Sequence, residues 1–123
     1  MEALINYLLL FGDLNEQQKQ FIISKCKIRH IKSNAYYQEA GKTPDQFAFL
    51  IDGVLRVSYY NDKGDEITKY FLDEDHFVVD LDSYNQRKPS AEYIQAITDC
   101  TYVTLSREAL KELSDTIVEW MES

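Results

Sequence analysis

From residue 28 onward the chain changes its period, and that change restricts the possible folds more than any other feature. Short runs rich in β-branched and aromatic residues lie at 28–31, 35–39, 47–51, 54–60, 66–72, 93–97 and 101–105. Each reads as a strand. Between them stand residues that tolerate turn dihedrals: Ser33-Asn34, Gly41-Lys42-Thr43-Pro44-Asp45, Asp52-Gly53 and Asn61-Asp62-Lys63-Gly64-Asp65. Several of these joints read as hairpins. Val54, Arg56, Ser58 and Tyr60 alternate with Leu55, Val57 and Tyr59, the pattern of a strand with two unlike faces. A barrel or roll with an inside and an outside follows.

Helical patterns flank this region. Leu4, Leu8 and Phe11 share one side of a first helix, and Phe21, Ile22 and Lys25 are spaced along a second, with Gly12 between them. Asn15, followed three residues later by Gln18, is a start signal for the second helix. At the other end Ser106 caps a helix whose Leu110, Leu113, Ile117, Trp120 and Met121 recur at spacings of three and four. With 123 residues and 45% hydrophobic content, one domain with its own core is expected, comprising N-terminal helices (1–26), a β-barrel (27–105) and a C-terminal helix (106–123).

A net charge of -8 repels phosphates, so the domain as a whole lacks the electrostatic attraction on which nucleic-acid binding rests. Cys26 and Cys100 lie far apart and form no CxxC pair, which argues against a zinc or iron-sulfur site and for buried free thiols. The apolar run 7–11 is too short for a membrane span or a signal peptide, so a cytoplasmic location without membrane attachment is expected. Residues 73–91 break the strand rhythm. They gather Asp73, Glu74, Asp75, Asp80 and Asp82 with Arg87, Lys88 and Pro89 around a short apolar run at 77–81, and long connections in small domains are often functional.

This order of features resembles the cyclic-nucleotide-binding domain of the Crp/Fnr transcription regulators. The residues that carry the resemblance are 49–57 (Phe49-Leu50-Ile51-Asp52-Gly53-Val54-Leu55-Arg56-Val57), the hairpin 59–70 around Asn61-Asp62-Lys63-Gly64, the run Phe77-Val78-Val79-Asp80-Leu81 at the phosphate-binding cassette, and Tyr93-Ile94-Gln95-Ala96. The fold it implies is mainly β with flanking helices, a double-stranded β-helix, or jelly roll, of the cyclic-nucleotide-binding type. It also implies a parent that binds DNA as a homodimer through a dimerisation helix and a helix-turn-helix domain, both absent from these 123 residues.

By the same resemblance the candidate pocket comprises Val78, Val79, Asp80, Leu81, Arg87, Ser90, Ala91 and Tyr93. In ligand-binding relatives backbone N–H groups and an Arg surround the cyclic phosphate, a Gly permits the tight backbone, and a carboxylate accepts from the ribose. Here Asp80 stands at the carboxylate position, Val79 at the Gly and Ser90 at the Arg, with Arg87 three residues earlier. Asp80 reads either as a ligand acceptor or, more simply, as a turn-stabilising carboxylate. The departures argue against ordinary cyclic AMP binding, and Ser90→Arg is expected to raise affinity. Tyr59, Tyr60, Tyr70, Phe71, Tyr84 and Tyr93 read as barrel core for the most part, with pocket lining as the other reading.

No nucleophile, phosphate-loop or His-Glu-x-x-His motif is present, so neither catalytic residues nor a cofactor are expected. His30 and His76 read as surface residues and the acidic run 73–75 as a solvated turn, so no metal site is expected. Two functional classes stand: a sensor of an unidentified small-molecule effector, or a degenerate barrel that serves as a dimer scaffold. A third, a cupin-like metal enzyme, is weakened by the presence of only two histidines.

Overall fold

The computed structural model describes residues 2–9 and 13–122, and their side chains apart from those of Leu8, Leu113 and 116–122. The elements run α1 (Glu2–Leu8), α2 (Glu16–Ser24), β1 (Lys27–Ile31), β2 (Tyr36–Gln38), β3 (Gln46–Asp52), β4 (Leu55–Tyr60), β5 (Glu66–Leu72), β6 (Phe77–Val78), α3 (Leu81–Gln86), β7 (Tyr93–Ala96), β8 (Cys100–Ser106) and α4 (Arg107–Glu122). The strands form two antiparallel four-stranded sheets, ordered β1-β8-β3-β6 and β2-β7-β4-β5. This is the expected jelly roll.

The alternation along β3 explains how the layers stack. Ala48 and Leu50 point between the sheets, where they meet Leu55, Val57, Val78, Ile94, Ala96 and Cys100. Phe49, between them in sequence, points the other way and packs with Leu4 and Val103, while Ile5, Ile22 and Leu105 form a neighbouring cluster. The helical hairpin thus covers the back of the first sheet, and β3 is buried on both faces. Completely burying a ring such as Phe49 contributes about 2–3 kcal/mol of transfer free energy.

Local chemistry sets the joints. Asn15 and Gln18 form the full capping box of α2, with the Asn15 side chain accepting from Gln18 N at 2.8 Å and the Gln18 side chain accepting from Asn15 N at 3.0 Å. Asn61 Oδ1 accepts from the N–H groups of Lys63 and Asp65 and shapes the β4–β5 hairpin. Gly53, at φ 109°, turns β3 toward β4 where a Cβ would lie 2.6 Å from both Asp99 O and Cys100 Sγ. In the β4–β5 ladder Val57 faces Tyr70 and Ser58 faces Thr68, so Lys69 is an extra residue, a β-bulge. Ser106 Oγ accepts from Ala109 N–H at 3.0 Å and caps the start of α4.

Two expectations need correction. Residues 73–91 are not one irregular connection: β6 pairs with β3 through Ala48↔Val78 and Phe49↔Phe77, and α3 follows at once. Two paired residues are too few to show a period. The aromatic group is not mostly core, since Tyr84 is buried whereas Tyr60, Tyr70 and Phe71 are exposed and Tyr59 and Tyr93 are half-buried. Tyr70 and Phe71 stand on the edge strand β5, and Tyr60 ends β4 on the outer face beside Tyr93. Phe11, Gly12 and the side chains of Leu8, Leu113, Ile117, Trp120 and Met121 lie outside the described residues; Leu110 is half-buried.

Candidate functional site

The segment from β6 to β7 folds around one carboxylate. Asp80, in extended conformation, is the N-cap of α3. Its Oδ1 accepts from Ser83 N–H at 3.3 Å, and its Oδ2 accepts from the hydroxyls of Ser83 at 2.8 Å and Ser90 at 2.7 Å. Ser90 Oγ in turn accepts from Glu92 N–H at 3.0 Å. Both serines are buried, so the short helix and the strand that follows are tied together from within. Partial burial of Asp80 works against its charge, but the two hydroxyls, the Ser83 N–H and nearby Lys69 outweigh it and hold the carboxyl below the ordinary carboxylate value. Lys69 reaches from the bulge of β5 to Glu92 at 2.5 Å.

A second set of contacts joins this segment to the loop between β2 and β3. Gly41 N–H donates to Ser90 O at 2.8 Å, and Ser90 N–H donates to Lys42 O at 3.0 Å. Arg107, the first residue of α4, donates to the carbonyl oxygens of Tyr84 at 2.7 Å and Pro44 at 3.5 Å, and its guanidinium lies over the Tyr84 ring. Its own N–H donates to Asp45 O. A cleft of about 180 Å³ remains between this loop and the start of α3, with Tyr37, Gln46, Val79, Asp80 and Ile94 among its walls. Burial pushes the Tyr37 phenol up to about 12 despite the hydrogen bond from Gln46, so Tyr37 is a neutral hydroxyl at physiological pH.

Of the residues singled out in the sequence, Val79 and Asp80 line this cleft, and Ser90 supports it from behind. The others are dispersed. Val78 is core, and Leu81, Arg87 and Ala91 are exposed. Arg87 adopts a left-handed conformation, φ 53°, as the C-cap of α3. Tyr93 stands on the outer face of the second sheet, edge-on to Tyr36 and Tyr60. Sequence reasoning missed all four of Tyr37, Gln38, Lys42 and Gln46: Tyr37 and Gln38 lie in the 35–39 run that reads only as a strand, Lys42 in the 41–45 turn, and Gln46 between that turn and the next run. Pro44, the apolar residue of an otherwise polar stretch, was the available signal, and in the fold it is buried.

His30 and His76 are both exposed; His30 Nδ1 lies 3.1 Å from Thr101 Oγ1, and His76 pairs with Asp73. Both cysteines are free, Cys100 buried and Cys26 half-buried, and burial pushes the Cys26 thiol up to about 11. Among the described residues no group of three or more His, Cys, Asp or Glu side chains is placed to hold a metal ion. No helix among them is long and apolar enough to cross a membrane.

The family model for the cyclic nucleotide-binding domain matches residues 28–116. No curated protein matches the sequence. Among solved structures the chain is similar to the catabolite activator protein of Thermus thermophilus, with 18% identity and a TM-score of 0.76 over 88% of this chain and 50% of that one. It is similar to a cyclic nucleotide-binding domain from Methylobacillus flagellatus, with 16% identity and a TM-score of 0.77 over 89% of this chain and 61% of that one. It also resembles the regulatory subunit of a cAMP-independent protein kinase A from Trypanosoma brucei, with 15% identity and a TM-score of 0.69 over 89% of this chain and 42% of that one. The chain therefore spans between 42% and 61% of the length of these structures.

Proposed function

Because this chain belongs to the cyclic nucleotide-binding domain family, we propose that it is the effector-sensing module of a Crp/Fnr-type bacterial transcription regulator, cytoplasmic, and answering to a small molecule other than cyclic AMP. DNA contact and homodimerisation would reside in other parts of the parent, since the acidic balance of this domain opposes phosphate binding. Its role would be regulatory rather than catalytic.

The observation that carries this reading is the closure of the cassette upon Asp80. A cyclic phosphate needs convergent donors and positive charge. Here the Ser83 N–H and both serine hydroxyls are directed at Asp80, Glu92 N–H is directed at Ser90, and Lys69 is engaged by Glu92. Arg87 is exposed on the far end of α3. A phosphate would have to displace a carboxylate from its own donors. The missing Arg alone removes charge-assisted bonds worth about 1.5–3 kcal/mol, or one to two decades of affinity. Calorimetry with cyclic AMP and cyclic GMP, beside a thermal-shift screen of metabolites, tests the reading. No micromolar heat with either nucleotide and a raised melting temperature with another metabolite are expected. Micromolar cyclic AMP binding would overturn the nucleotide part, and a screen without a single stabilising compound would favour a scaffold role.

A further inference from the structure

We infer that the cleft between the β2–β3 loop and α3 takes a small organic ammonium ion; the inference rests on the sensor reading above and adds the chemistry of its effector. Size is the first constraint. At about 180 Å³ the cleft falls below the roughly 300 Å³ at which sites for drug-sized ligands begin, so a compact ligand suits it and a nucleotide does not.

The polar atoms supply the second constraint, because the wall is rich in acceptors. Gln38 Nε2 donates to the carbonyl oxygens of Glu39 and Lys42, and Gln46 Nε2 donates to the Tyr37 hydroxyl, so each amide has its NH2 end occupied. Neither amide oxygen has a hydrogen-bond partner among the described residues. Asp80 adds a carboxylate whose Oδ1 has only one partner, at 3.3 Å. Lys42, which lines the cleft, forms an exposed ion pair with Glu39 at 3.2 Å, and Lys69, outside the lining, pairs with Glu92 at 2.5 Å. A ligand bringing its own N–H donors and positive charge matches this wall, and an anion does not. Val79, Ile94 and Pro44 offer apolar surface for a short carbon chain behind the charged head.

The test is an amide NMR titration of the protein with ethanolamine, with inorganic phosphate and cyclic AMP as anionic probes at matched ionic strength. Saturable shifts at Gln46, Val79, Asp80 and Ile94 are expected with ethanolamine alone. Asp80→Asn is the companion variant, because Asn caps a helix as well as Asp and so preserves the fold while removing the charge. Its affinity for ethanolamine should fall about tenfold or more, while the variant keeps a single cooperative melting transition at neutral pH. An ethanolamine response that does not saturate, or one unchanged in Asp80→Asn, overturns the inference. Saturable binding of phosphate or cyclic AMP at the same amides overturns it as well, while leaving a sensor in place. The broader metabolite screen judges the sensor reading separately.

Discussion

The guanidinium of Arg107 lies 3.8 Å from the centroid of the Tyr84 ring and also donates to the Tyr84 carbonyl at 2.7 Å, so one side chain holds both the face and the backbone of a single residue in α3. Tyr84 meets Phe47 edge-on from another direction, at 4.7 Å. The first residue of α4 is therefore fastened to the short helix beside the cleft.

Arg107→Ala is expected to lower stability by about 1–2 kcal/mol, through loss of the cation–π contact and of the bonds to two carbonyl oxygens. Arg107→Lys should restore little of it, because a lysine lacks the planar fork that stacks and donates at once. Urea denaturation measures both, and a change under about 0.3 kcal/mol in the alanine variant would show that the contact does not hold in solution.

Asp80 links stability to pH. Its folded-state carboxyl lies below the ordinary value of 3.8, so its contribution is present above that value and disappears as pH falls through the folded one. The stability difference between the parent and Asp80→Asn should accordingly be constant near neutrality and shrink below about pH 4. Asp80→Ala loses the cap and strands two buried hydroxyls, at a cost of about 1–3 kcal/mol at pH 7. Melting curves across pH 3–8, taken with all three proteins, give the comparison.

Ser90→Arg is not expected to confer cyclic AMP binding by itself. From the sequence a gain is expected, since the resemblance sets Ser90 at the position of the family's phosphate-binding Arg. In the fold Ser90 is 2% exposed and its hydroxyl joins Asp80 to Glu92 N–H, so the larger side chain breaks those bonds before it meets any ligand. Destabilisation by about 1–3 kcal/mol without nucleotide heat in calorimetry is the expected result.

Gly53→Ala should destabilise by about 2 kcal/mol or more, because the positive φ and the contact with Asp99 O and Cys100 Sγ act together. Gly41→Ala is the control. Its φ is also positive but its Cβ would meet nothing within 4 Å, so only the dihedral cost of about 1–2 kcal/mol remains. Thermal melts of the pair separate the two contributions.

The isolated chain should bind duplex DNA no better than another acidic protein of its size, given its net charge of -8. Fluorescence anisotropy at two salt concentrations is sufficient: submicromolar, salt-sensitive binding would mean that a basic surface has been overlooked.

Strands whose two faces differ were legible in the sequence because burial imprints a period of two. The 66–72 run was read with the bounds of β5, and the other expected strands differ from β1–β4, β7 and β8 by one residue at one or both ends. Asn15 announced its helix through a cap that needs only local chemistry. Phe77–Val78 was not legible as a strand, since its pairing with β3 depends on contacts far away in sequence. The site was legible only at Asp80 and Val79. Its other wall comes from the β2–β3 loop, and the hydrogen bonds that bring Gly41 and Lys42 to Ser90 leave no mark on spacing or composition.

The Lys69 bulge has a consequence for the molecule in a crowded solution. β5 ends its sheet and exposes Ile67, Tyr70 and Phe71 beside backbone groups with no neighbouring strand among the described residues, the combination that invites pairing with another copy. The extra residue interrupts the even spacing such pairing requires, increases the local twist and places a charged side chain in the middle of the apolar stretch. The same lysine that reaches toward the cassette therefore also disfavours the addition of another strand at this edge.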